Sequence, residues 1–183
     1  MLQYMDKGRM NAGKVEKNML TQDTCHIRLS EMKDADQLME LDALVWTDQT
    51  SPAPMQWRSR QQYLQHCPPG SQLVATMGDR VCGLVGFRPA TGMHSNSHVY
   101  EIHIAVHPEY RRNGIATSLM DAMKRHASEQ GIRKLRLRVL SSNAGAVAFY
   151  ERCGFKMEGR LVAEFYIHGQ YVDDILMGFF VEG

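Results

Sequence analysis

The stretch Val106 to Met120, V-H-P-E-Y-R-R-N-G-I-A-T-S-L-M, restricts the fold more than any other part of the chain. The alternating run His98 to Val106 reads as a strand that ends here. A short turn follows, and a helix opens at Gly114 to Ala116. Ile115, Leu119, Ala122, Met123 and His126 share one stripe of it, and Gly131 stops it after about Gln130. A strand over Leu135 to Leu140 and a short helix over Asn143 to Arg152, stopped at Cys153-Gly154, come next. Strands alternating with helices in this way require a mixed sheet with helices on its faces.

The rest of the chain fits that sheet. His26 to Leu29 alternates as a strand. Lys33 to Asp36 opens a helix with acids at its positive end, followed by Leu38, Leu41 and Leu44-Val45 at helical spacing. Thr47 to Pro54 reads as a loop, and Trp57 to His66 as a second helix ended by Pro68-Pro69-Gly70. Gly78-Asp79 joins two strands, Gln72 to Met77 and Arg80 to Arg88, in a hairpin. A final pair, Phe155 to Ile167 and Tyr171 to Val181, meets at His168-Gly169-Gln170. Residues 1–24 are polar, weakly periodic and contain four methionines, Met19 being a plausible start; they form an N-terminal extension of unknown role before one domain, 25–183.

Charge and cysteine content exclude several functions. With 21 basic against 20 acidic residues, the chain has no bulk attraction to nucleic acid or an anionic membrane. No apolar run approaches the ~20 residues that span a bilayer. The four cysteines are irregularly spaced, without C-x-x-C, which suits free thiols in a cytoplasmic protein rather than a disulfide or zinc framework. His94, His98 and His107 show no metal-ligand spacing, so no metal is expected.

The turn before Gly114 carries the first chemical signal. A helix N-terminus presents free N–H groups and a positive dipole end, and small residues allow close approach. Arg111 and Arg112 add charge, making a cradle for a pyrophosphate; on this segment alone, a plain turn with two solvated arginines is the competing reading. On the preceding strand, Ile102, Ile104 and Val106 share one face, and Glu101, His103 and Ala105 the other. An acid and an imidazole on an interior strand are candidate proton acceptors for an amine, with a solvated or ion-paired role as the alternative. Arg136 and Arg138, on one strand face, are candidate partners for a substrate carboxylate or ordinary surface arginines. Trp46 and Trp57 flank the Thr47 to Pro54 loop.

Two motifs in order, R-x-x-G-x-A at Arg111 to Ala116 and N-x-x-A-x-x-F-Y-E-x-x-G-F at Asn143 to Phe155, resemble the GNAT superfamily of acetyl-CoA-dependent N-acetyltransferases. The resemblance covers Cys25 to the C-terminus. It implies an α/β fold with a mixed, mostly antiparallel central sheet of about six to seven strands, about four flanking helices and splayed central strands. It implies acetyl-CoA as cofactor, its pantetheine arm lying in the splay along Ile104, Ala105 and Val106. The pyrophosphate would meet backbone across Arg111, Arg112, Asn113, Gly114, Ile115, Ala116 and Thr117, with Asn143, Ala146 and Phe149 beside the arm. Tyr150 matches the family tyrosine that protonates the departing thiolate, with core packing beside Phe149 as the alternative. A β-bulge in the Tyr100 to Val106 strand, common in the family, would alter the faces given above.

The segment Glu158 to Met177 resembles small bacterial L-amino-acid N-acyltransferases, phosphinothricin-type acetyltransferases and ribosomal-protein acetyltransferases. The implied reaction is direct attack of a primary amine on acetyl-CoA in a ternary complex. A small free amine such as an amino acid is the first choice of acceptor. A protein N-terminus or lysine is the alternative, then a polyamine or other amine. A non-catalytic acyl-CoA sensor is the reading from another class. Homodimers are common in the family, and no residue here decides that point.

Overall fold

A computed structural model describes residues 25–47, 50–53 and 55–182. The extension 1–24 and part of the Thr47 to Pro54 loop lie outside the described residues. The elements are β1 (His26–Leu29), α1 (Ala35–Val45), α2 (Arg60–His66), β2 (Gln72–Met77), β3 (Arg80–Pro89), β4 (Val99–Val106), α3 (Ile115–Glu129), β5 (Lys134–Leu140), α4 (Ala144–Arg152), β6 (Lys156–Ile167) and β7 (Gln170–Phe180). The expected order of strands and helices is the one observed. Other bounds shift by a residue or two, and the start of α2 by three: Ser59 accepts the Gln62 N–H at 3.1 Å and caps the helix, so Trp57 precedes it.

The seven strands form one sheet in the order β1-β2-β3-β4-β5-β7-β6. All neighbours are antiparallel except β4 and β5. That parallel pair follows from the crossover through α3, since a parallel connection needs a long return path. The hairpin at Gly78-Asp79 closes β2 on β3, with Gly78 at φ 57°.

Period-two alternation divides the core into two layers. On one face, Ile102, Leu135, Leu137, Val139, Ile175 and Met177 pack with Leu119, Met120 and Met123 of α3 and Tyr150 of α4. On the other, Val74, Leu84 and Ala105 pack with Leu38, Leu41 and Val45 of α1 and Tyr63 of α2. A seven-residue helix is marginal on its own. Tyr63, fully buried and donating to Gln72 at 2.8 Å, anchors α2 to the sheet.

β4 and β5 are paired only at Val99–Lys134, Tyr100–Leu135 and Glu101–Arg136. Beyond these rungs the strands diverge, while β4 keeps its ladder with β3 in continuous register to Gly83–Val106. No bulge interrupts β4 in that ladder, so the alternation predicted for Glu101 to Val106 holds.

Candidate active site

The divergence of β4 from β5 opens a cleft of about 1040 Å³ that passes between the strands. Ala116 of α3 and Asn143, Ala146 and Tyr150 at α4 line it on one side of the sheet. Trp46, His103, Arg138 and Glu164 line it on the other. The edge of β4 that faces the cleft carries Ile104, Ala105 and Val106, whose backbone lacks a β5 partner there.

One end of the cleft is an anion cradle. Gly114 caps α3 at φ 77°, and Arg112 adopts φ 65° two residues before it. The first bond of the helix runs from the Ser118 N–H to the Gly114 carbonyl at 3.0 Å. The N–H groups of Ile115, Ala116 and Thr117 therefore have no intrahelical acceptor and face the helix start. A left-handed arginine is costly, and such strain is characteristic of ligand-binding turns. Arg111, Arg112 and Ala116 line the cleft. Asn113, Gly114 and Thr117 are exposed at the turn, and the Ile115 side chain is buried in the core, so Ile115 offers only its backbone.

Opposite lies α4. Asn143 caps it by accepting the Ala146 N–H at 3.1 Å, and both residues line the cleft with Phe149. Tyr150 sits one helical turn after Ala146, 7% exposed, against Phe149 and Phe155. Its hydroxyl has no hydrogen-bond partner among the described residues, and it lines the cleft. Burial raises its pKa, so at neutral pH it is a protonated phenol, able to donate.

His103 faces the cleft from β4. Burial, and then the charge of Arg88, push its pKa down to about 4, with Glu101 acting weakly in opposition. The ring is thus neutral at neutral pH. It lies over Gly86, its direct partner on β3; a Cβ there would fall 2.2 Å from the imidazole Cε1. Trp46 meets the ring edge-on at 5.9 Å.

Trp46 is itself fixed from below. The buried carboxylate of Asp42 accepts the indole N–H of Trp46 at 3.1 Å and that of Trp57 at 2.8 Å. The two indoles stand at either end of the segment whose Thr50, Ser51 and Pro52 line the cleft. Sequence reading singled out the tryptophans and missed Asp42, since nothing local distinguishes it from any helical acid. It also missed Gly86, for which a glycine within a strand was the available signal.

Glu101 does not line this cleft; it lines a neighbouring cavity. Arg88 donates to it at 2.5 Å and Arg136 at 2.9 Å and 3.2 Å. Burial opposes its charge, but the two guanidinium bonds prevail and hold its pKa below the ordinary value. His103 and Tyr150 are thus brought to one cleft, and Glu101 is set apart, gripped by cations. Among the described residues no group of three or more His, Cys, Asp or Glu is placed to hold a metal. No helix among them is long and apolar enough to cross a membrane.

Comparison with known proteins agrees with this geometry. The Acetyltransferase (GNAT) family model matches residues 36–155. Spermidine N(1)-acetyltransferase of Vibrio cholerae is 39% identical over 74 residues, 40% of this chain and 43% of that protein, so the match spans under half its length. A solved protein of Streptococcus mutans UA159, smu.2055, is 31% identical, with a TM-score of 0.79 over 86% of this chain and 99% of that one. A GNAT phosphinothricin acetyltransferase of Sinorhizobium meliloti, solved in complex with acetyl-CoA, shares the fold at 19% identity, with a TM-score of 0.73 over 86% of this chain and 89% of that one. The splayed strands, the cradle at Arg111–Ala116 and the matched span together make the chain a member of the GNAT acetyltransferase family.

Proposed function

We propose that the protein transfers the acetyl group of acetyl-CoA to a small primary amine, an amino acid being the first choice, by direct attack in the cleft. The observation that carries this reading is the Tyr150 hydroxyl: protonated, on a buried side chain and without a hydrogen-bond partner among the described residues, it opens into the same cleft as the helix start at Gly114.

The chain's groups fit the cofactor. The N–H groups at Ile115 to Thr117, with Arg111 and Arg112, suit a pyrophosphate. The diverging edge of β4 offers backbone donors and acceptors to an amide-bearing arm. Bound there, acetyl-CoA would supply a thioester carbonyl as electrophile.

The remaining work falls to residues. An ammonium has no lone pair, so the acceptor must first lose a proton. Neutral His103 lines the acceptor side of the cleft and accepts that proton, directly or through a water, and passes it to solvent. With a pKa of about 4 it does not retain the charge. Glu101, held by two arginines, serves better to position Arg136 than as a base. The C–N bond forms, the nitrogen gives a second proton to solvent, the C–S bond breaks, and Tyr150 gives its proton to the thiolate before regaining one from solvent. In balance, amide, free CoA and one proton leave.

Thiol release from acetyl-CoA over a panel of free amino acids, peptides and polyamines tests the reading. In the Tyr150→Phe variant kcat falls by about 10²–10³, within the range for a general acid, while acetyl-CoA still binds. An unchanged kcat removes Tyr150 from the chemistry. Cofactor binding without turnover over the whole panel favours a sensor, and turnover of peptides alone moves the acceptor to protein termini.

A further inference from the structure

The outward face of β5 carries Lys134, Arg136 and Arg138 at every second position, while Leu135, Leu137 and Val139 face the core. These cations line a second cavity of about 460 Å³ on the sheet face away from α3, with Glu101 and Glu158 opposite. The volume is that of an ordinary small-ligand pocket. Arg138 belongs to both this cavity and the cleft, so the two spaces adjoin.

Each cation is held by a carboxylate from another strand of the sheet. Lys134 pairs with Glu158 at 2.7 Å, and the Glu158 carboxylate lies over Gly178, where a Cβ would fall 2.3 Å from it. Arg136 uses Nε and Nη2 on Glu101, and Nη2 also reaches the Ala90 carbonyl at 3.0 Å. Arg138 uses Nε and Nη2 on the buried carboxylate of Asp174, with Glu164 at 4.0 Å. Both guanidinium groups are thus gripped along the same edge. Their Nη1 groups make no hydrogen bond among the described residues, and the side chains are 37% and 48% exposed. With Arg88 on Glu101 and both Asp174 and Glu164 beside Arg138, four cations meet four carboxylates, so what the cluster has to spare is the Nη1 donors. Pre-fixed planar donors with spare N–H groups suit a carboxylate better than a second cation.

We infer that the second cavity is the acceptor's outer subsite: the Nη1 groups of Arg136 and Arg138 hold a carboxylate of the acceptor while its amine reaches His103 in the adjoining cleft. The recognised class is an amine that carries a carboxylate, as in an amino acid or a short peptide acid, rather than a polyamine. The inference rests on the acetyl-transfer reading for its role but not for its binding test.

Product binding separates the two. N-acetyl amino acids spanning the side-chain classes, each with its amide, are titrated calorimetrically into the CoA-loaded protein. At least one acid binds ten-fold or more tighter than its amide, and Arg136→Gln removes that preference; Glu101 keeps Arg88 as its partner in this variant, and its melting midpoint checks the fold. Acids and amides binding alike, or neither binding, overturns the subsite. A preference that survives in both Arg136→Gln and Arg138→Lys overturns it too. In the companion kinetic panel, thiol release that treats each free acid and its amide equally overturns the subsite and leaves acetyl transfer standing; acid-selective binding without thiol release supports the subsite and counts against acetyl transfer.

Discussion

His103 shows how a single side chain is tuned by what surrounds it. Gly86 makes room for its ring, Trp46 closes one edge, and Arg88 and Glu101 set opposing fields from β3 and β4. Removing the ring from water disfavours the imidazolium, which is why the group prefers to stay neutral. Its folded pKa of about 4 lies below the unfolded value of 6.5, so the unfolded chain takes the proton first as pH falls. Stability from this group is therefore full above about pH 6.5 and is lost as pH falls towards 4. The slope it adds is at most about 1.4 kcal/mol per pH unit. Urea unfolding at a series of pH values should show a shallower loss between pH 6.5 and 4.5 in His103→Asn than in wild type. An identical slope in the two proteins would mean that the imidazole titrates normally in the fold.

At the scale of elements, β3 and β4 are registered so that a glycine opposes each bulky demand. Gly86 lies opposite His103, and Gly83 lies beneath Ala105 and Leu119, where a Cβ would come 2.9 Å from the Ala105 carbonyl oxygen. In Gly86→Ala the added methyl displaces the imidazole from its seat. The expected result is a fall in kcat, since the proposed proton acceptor is displaced, with little change in acetyl-CoA affinity, since the helix start at α3 is untouched; steady-state kinetics with each substrate varied in turn checks it. Local signals made most elements legible. Period-two alternation marked the strands, Gly131 stopped α3 at φ 71°, and Gly154 stopped α4 at φ 86°. The start of α2 was misread by three residues because a single serine cap outweighs the apolar Trp57. The splay of β4 from β5 was legible only through resemblance, since no residue pattern in either strand announces where a ladder ends. An ion-paired Glu101 was an open alternative in the sequence, but its partners Arg88 and Arg136 were not legible. Arg136 and Glu101 are 35 positions apart, and which carboxylate a cation meets is decided by register across three strands.

At the scale of the whole molecule, the described residues build two antiparallel half-sheets, β1 to β4 and β5-β7-β6, meeting at one parallel pair. A ligand that binds only the folded chain stabilises it by about 2.7 kcal/mol at a hundred times its Kd. Acetyl-CoA should do this here, raising the melting midpoint, and the gain in hydrogen-exchange protection should concentrate at Ile104 to Val106 and Ile115 to Thr117. Protection gained elsewhere but not at these amides would place the cofactor outside the cleft. β6 forms the outer edge; its ladder is broken between Leu161 and Phe165, where Ala163 at φ 54° donates to Asp173 at 2.7 Å. Such an irregularity twists an edge away from pairing with another strand.

The three rungs between β4 and β5 have one more consequence. His103 lies on β4 in the first half-sheet, whereas Tyr150 lies on α4, the connection from β5 to β6 of the second, and meets Phe155, which meets Phe179 of β7. The two groups proposed to take and to return a proton therefore stand on opposite sides of that seam. Under the proposed mechanism, the pairing of Val99 to Glu101 with β5 bears on their separation, so a substitution at that seam should change kcat without touching either reactant.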